Sequence, residues 1–143
     1  MGEVQKLMSD PRCLTERDNE RVFSDYRLGN DPVTRKYRDC VIETVKPNIS
    51  EFAQGLGARS VQMGGIWFQH YERFSFHNTH THWPSMFSVV YFVQFDPQEH
   101  KPTAFLNPMR LQLQLYEQRK IRAPMEFKPS VTEGTLLNLP RLP

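Results

Sequence analysis

The residues best suited to chemistry lie in one stretch, Ile66 to Pro108 (IWFQHYERFSFHNTHTHWPSMFSVVYFVQFDPQEHKPTAFLNP), which holds both tryptophans and all five histidines. Within it, His77-Asn78-Thr79-His80-Thr81-His82 is where metal-ligating side chains crowd together. On an extended strand, residues i and i+2 project from the same face, so His80 and His82 present their imidazoles side by side and can share one cation. Neutral imidazole suits Fe, Zn, Cu or Ni. The competing reading of an H-x-H pair is two surface or turn histidines stacked among aromatics. His77 has the opposite parity to His80 and reads as a supporting or exposed residue. His70, beside Tyr71 and near Trp67, reads as a packed, hydrogen-bonded histidine, and His100, beside Lys101-Pro102, as a solvent-facing turn residue.

The elements that must position these side chains follow from periodicity. Apolar residues at Tyr37, Val41, Val45, Ile49, Phe52 and Leu56 recur every three or four positions and predict a helix over Thr34–Leu56, kinked or divided at Pro47 and ended by Gly55 and Gly57. Beyond those glycines the pattern turns to β. Val61–Tyr71 is a strand-length run with Gly64-Gly65 permitting a bulge, and Met86–Phe95 reads as a central strand covered on both faces. Shorter runs follow at Thr103–Leu106, Leu111–Tyr116, Met125–Phe127 and Thr135–Leu139, separated by prolines and turn residues. Such spacing points to a sandwich or jelly roll. Residues 1–33 read as a partly irregular N-terminal extension, with a short helix fitting Thr15–Tyr26 and capped by Thr15. Residues 34–143 read as one helix-plus-jelly-roll domain.

Composition bounds the function. At 143 residues the chain suits one domain with a modest core. Eighteen basic against sixteen acidic side chains, interspersed, give a net charge of +2, too weak a field to argue for nucleic acid. Cys13 and Cys40 lie far from any CxxC spacing and read as reduced packing residues of an intracellular protein. The N-terminus lacks the layout of a signal peptide, and no apolar run approaches the roughly 18 residues that cross a bilayer. The expectation is a soluble cytoplasmic protein, virion-associated if viral.

Several spaced motifs carry a resemblance. W-F-Q-H-Y from Trp67, then His80-x-His82, the strand S-V-V-Y-F-V, the run D-P-Q-E-H-K-P-T-A-F-L-N-P and finally V-T-E-G-T-L-L-N-L-P together resemble the core of the 2-oxoglutarate- and Fe(II)-dependent dioxygenases. The likeness is to small members found in phages and marine bacteria and to the prolyl-hydroxylase-like branch, and it covers roughly residues 61 to 140. It implies a mainly β double-stranded β-helix (jelly roll) with N-terminal helices packed on it. It implies Fe(II) held by His80 and His82, and 2-oxoglutarate bound by Tyr71, nine residues before His80, and by Tyr91 of the aromatic pair Tyr91-Phe92. Such an enzyme couples decarboxylation of 2-oxoglutarate to hydroxylation of a C–H bond, here in an unknown small molecule or peptide. Trp67, Trp83, Phe87 and Tyr91 would line the pocket, or serve as ordinary core.

The chain departs from the family in three places. The second ligand is His82 where an aspartate is usual. No histidine follows His100 to act as the distal ligand, and Arg141 comes too early for the arginine that binds 2-oxoglutarate. These departures predict a jelly roll with its C-terminal strands missing, a third ligand supplied by His70, His77 or a partner chain, or a fold kept without catalysis. Unpaired sheet edges would invite a homo-oligomer or larger assembly. The alternatives to an enzyme are a non-catalytic jelly-roll assembly protein, of viral type, derived from a dioxygenase, and a cupin-like metal-binding module.

Overall fold

The computed structural model of the chain describes residues 2–17, 20–29, 31–82, 84–85, 87–107 and 126–140. The expected strand Leu111–Tyr116, together with Trp83, Met86, Met125 and Arg141, lies outside them. The chain divides into two compact units, Met1–Met86 and Phe87–Pro143.

The first unit is built on one long helix. A short helix α1 (Gly2–Leu7) leads through a 3-10 turn at Pro11–Cys13 into strands β1 (Leu14–Arg17) and β2 (Glu20–Ser24), which pair antiparallel with Leu14 opposite Phe23. This hairpin replaces the helix expected over Thr15–Tyr26. Val22 is buried between exposed Arg21 and half-buried Phe23, a two-residue alternation that a strand satisfies and a helix does not. Helix α2 (Pro32–Gly55) starts with Asp31, whose side chain accepts from Val33 N at 3.0 Å, and with Pro32 in the first turn, where its missing N–H costs nothing. It runs unbroken through Pro47, an exposed position at which the freed carbonyl four residues back can turn to water. Val45, Ile49 and Ala53 are buried at four-residue steps along its inner stripe. Gly57, at φ 81°, closes the helix: its N–H reaches Gln54 O at 2.8 Å while Ala58 N reaches Ala53 O at 2.9 Å, a paired-bond cap that needs a left-handed residue.

Beyond the cap, the run Val61–Phe68 makes no ladder. Its continuation forms the two-residue strand β3 (Gln69–His70), paired antiparallel to β2 with Ser24 opposite Gln69. Asp25, fully buried just after β2, joins these pieces. Its carboxylate accepts from the Tyr37 hydroxyl, from Arg38 Nη2 at 2.8 Å and from Phe68 N at 2.9 Å, binding α2 and the approach to β3 to the hairpin. Burial, followed by the hydrogen bond to Asp25, pushes the Tyr37 hydroxyl far above its ordinary pKa, so it remains a donor at any physiological pH.

In the second unit, β4 (Phe87–Tyr91) pairs antiparallel with β7 (Leu136–Pro140), and β5 (Phe105–Leu106) with β6 (Glu126–Phe127). Phe92 N to Thr135 O at 3.0 Å and Gly134 N to Phe92 O at 2.8 Å extend the first pair toward the turn at Glu133-Gly134, where Gly134 takes φ 83°.

The expected jelly roll is not what forms. The described strands make one three-stranded sheet and two two-stranded sheets, with no closed barrel. Strand β4 is not covered on both faces either: Val89 and Tyr91 are 36% and 40% exposed, and among the described residues its partner is β7 alone. The physical reason lies in strand length. Turns and prolines such as Asp96-Pro97 and Pro102 cut the apolar runs to two to five paired residues, too short for the ladders that close an eight-stranded roll. Among the described residues no helix is long and apolar enough to cross a membrane.

Two measurements check this architecture. Removing one partner of a buried ion pair leaves the other uncompensated, so Asp25→Ala is expected to destabilise the first unit by about 3 kcal/mol in urea unfolding, and Tyr37→Phe by about 1 kcal/mol. The cysteines differ as well, since both thiols are free but Cys13 is buried and Cys40, contrary to the packing role expected of it, is exposed. Burial and then the neighbouring Asp10 and Asp25 charges raise the Cys13 pKa, so a thiol reagent is expected to label one cysteine in the native chain and two in denaturant.

Candidate metal centre

Residues 67–71 run extended, and parity sorts their side chains. The even positions face the scaffold: the Phe68 ring meets Tyr37 of α2 at 6.3 Å, and the His70 ring meets Phe23 of β2 at 6.0 Å. Gln69 and Tyr71 face the histidine run, which forms no strand, and Trp67 lies between that run and Tyr26, whose ring it meets edge to face at 5.1 Å. Trp67 lies 5.7 Å from the His82 ring, and Gln69 Nε2 donates to His77 Nδ1 at 2.9 Å. The Tyr71 hydroxyl donates to Gln69 Oε1 at 2.9 Å and stands 3.5 Å from the same His77 nitrogen.

The structure brings His77, His80 and His82 together. The His77 and His80 rings stack at 4.3 Å, and those of His80 and His82 meet edge to face at 4.7 Å. His80 Nδ1 is 2.7 Å from the Asn78 carbonyl oxygen, so that nitrogen carries the hydrogen and Nε2 is left with its lone pair. This Nε2 lies 3.1 Å from Nε2 of His82. Two nitrogens so placed share either a hydrogen donated by His82 or a metal ion in its place: ligands about 2.1 Å from a metal and roughly at right angles stand about 3.0 Å apart. The pair therefore fits two adjacent positions of a transition-metal ion. Among the described residues no group of three His, Cys, Asp or Glu is placed to hold a metal ion, so a carboxylate completing a facial triad is not among them. His77 offers its stacked face to His80 and its Nδ1 to Gln69, an arrangement that supports the pair and adds no ligand to it.

The other expected site residues lie elsewhere. Tyr91 stands on β4 and Phe87 opens that strand, both in the second unit, and Trp83 lies outside the described residues. His70 is half-buried on β3, which occupies it as a packing residue. His100 is exposed; its Nδ1 accepts from Asp96 N at 2.8 Å and its ring borders a cleft of about 200 Å³ with Phe95, Pro97, Pro102 and Val131. Sequence reasoning passed over Gln69, for which the available signal is its shared parity with Trp67 and Tyr71.

No protein-family model, curated protein or solved structure matches this chain.

The pair's protonation is testable. Burial first, then the neighbouring His80 and His77 charges, hold the His82 pKa below the ordinary histidine value. Since the unfolded ring titrates near 6.5, the neutral ring's contribution to stability is complete above about that pH. It is lost as pH falls through the lowered folded-state value. Following the imidazole C–H shifts of metal-free protein by NMR, His82 is expected to titrate below the ordinary histidine value. A His77→Ala/His80→Ala chain should restore its pKa only in part, because burial is the larger cause.

Proposed function

We propose that the chain holds a divalent transition metal between His80 Nε2 and His82 Nε2 and acts as an Fe(II)- and 2-oxoglutarate-dependent oxygenase on a small molecule or peptide. The observation that carries this reading is the 3.1 Å approach of the two nitrogens, with His80 oriented by its bond to the Asn78 carbonyl. Two protein ligands leave the remaining coordination positions for exogenous groups, the condition for catalysis rather than structural binding. The resemblance of the Tyr71, His80 and His82 spacing to the dioxygenases favours iron and 2-oxoglutarate among the candidates.

On this reading His80 and His82 bind as neutral imidazoles. Tyr71, held by Gln69 beside His77, offers a phenol to a 2-oxoglutarate oxygen. Trp67 packs its ring beside His82. Bound together, iron and 2-oxoglutarate would supply the oxidising chemistry, with the chain contributing orientation and partial desolvation. The free thiols suit a reducing compartment such as the cytoplasm.

A second reading, a non-catalytic interaction or assembly protein, is favoured by the aromatic side chains beside the site. Phe74 is 89% exposed at φ 67°, and Phe76 and Tyr71 are exposed near it. An anaerobic titration separates the two readings. Wild-type protein is expected to take up one Fe(II) per chain and to develop a visible charge-transfer band when 2-oxoglutarate follows. His80→Ala and His82→Ala should each weaken iron binding by at least about 100-fold. Iron uptake without the band would refute the oxygenase and leave a metal-binding module; no uptake, with stable oligomers, would favour assembly.

A further inference from the structure

The Gln69 side chain touches both Tyr71 and His77, and nothing in the proposed chemistry requires it to react. A primary amide has one accepting oxygen and a donating nitrogen. Here the oxygen takes the Tyr71 hydroxyl at 2.9 Å and the nitrogen gives to His77 Nδ1 at 2.9 Å. Accepting at Nδ1 fixes neutral His77 as the tautomer with hydrogen on Nε2, and it sets the plane of the ring that stacks at 4.3 Å on His80. The backbone that carries the amide is fixed from below. Gln69 is paired to Ser24 in the β2–β3 ladder, and the preceding residue, Phe68, gives its N–H to the buried Asp25 carboxylate.

We infer that Gln69 is a positioning residue of the metal centre, orienting Tyr71 toward the exogenous ligand through its oxygen and His77, and thereby His80, through its nitrogen. This deepens the proposed function and rests on His80 and His82 being the metal ligands. The two halves of the amide do different work, so substitution can separate them. Gln69→Leu removes both bonds with little change in bulk. Gln69→Glu keeps an acceptor for the Tyr71 hydroxyl but has no hydrogen to give Nδ1, which drives His77 to carry its own hydrogen there.

Two readouts test the assignment. The first, on metal-free protein, is the His77 ring tautomer from its two ¹⁵N shifts: hydrogen on Nε2 in the wild type, a mixture in Gln69→Leu, and hydrogen on Nδ1 in Gln69→Glu. The second is affinity: relative to wild type, Gln69→Leu should lose roughly 10-fold in both Fe(II) and 2-oxoglutarate binding, the lower end of the range for residues that orient ligands. Gln69→Glu should recover the 2-oxoglutarate affinity with Tyr71 intact, and should lose that recovery in a Tyr71→Phe background. A Gln69→Leu chain with the wild-type His77 tautomer and unchanged affinities would overturn the inference. If wild-type protein takes up no Fe(II), the metal reading fails by itself, and the tautomer series alone then decides whether Gln69 sets His77.

Discussion

A carboxylate taken out of water costs several kcal/mol unless charge and hydrogen bonds compensate it, and Asp25 is fully buried. Compensation comes from three groups on two sequence segments: the Tyr37 hydroxyl and the Arg38 guanidinium on α2, and the Phe68 N–H ahead of β3. Arg38 is itself only 12% exposed, and it also reaches the Asp25 and Gly29 carbonyls, so its charge has few alternatives. Each group is thus needed by the others. The requirement is directional, unlike apolar burial, and it specifies where the extended segment 67–71 must lie on the helix and hairpin.

From that fixed point the site is reached by alternation. With Phe68 and His70 committed to the scaffold, Gln69 and Tyr71 have to face the other way, toward the histidine run, and Trp67 lies between that run and Tyr26. The pleat of a short extended segment converts one buried anchor into three placed contacts on its outer side. The histidines need no strand of their own, because Trp67, Gln69 and the Asn78 carbonyl hold one ring each.

What was legible in the sequence reflects which interactions are local. The helix announced itself through its four-residue stripe, its Asp31-Pro32 start and its glycine stop, all set by neighbours along the chain. His80 and His82 approach each other as near neighbours along the chain but not by strand parity, since no strand forms there and His77, expected on the opposite face, stacks on His80. The sheets were not legible. A ladder depends on a distant partner, and motifs spaced like those of a jelly roll do not make their strands pair in that order; here each run is punctuated too soon. The hairpin over Leu14–Ser24 was hidden by mixed polarity, with Val22 and a polar residue, Ser24, as the buried positions described on β2. Pro47 misled in the opposite sense, since burial of Val45, Ile49 and Ala53 on one face outweighs a single missing hydrogen bond on the exposed one.

The division after Met86 has a consequence in time. Every contact described around the histidine pair, from Asp25 to His82, is made within the first unit. At the roughly 5–20 residues per second of protein synthesis, residues 87–143 take roughly 3 to 11 s to follow. The imidazole pair can therefore form while the second unit is still being made.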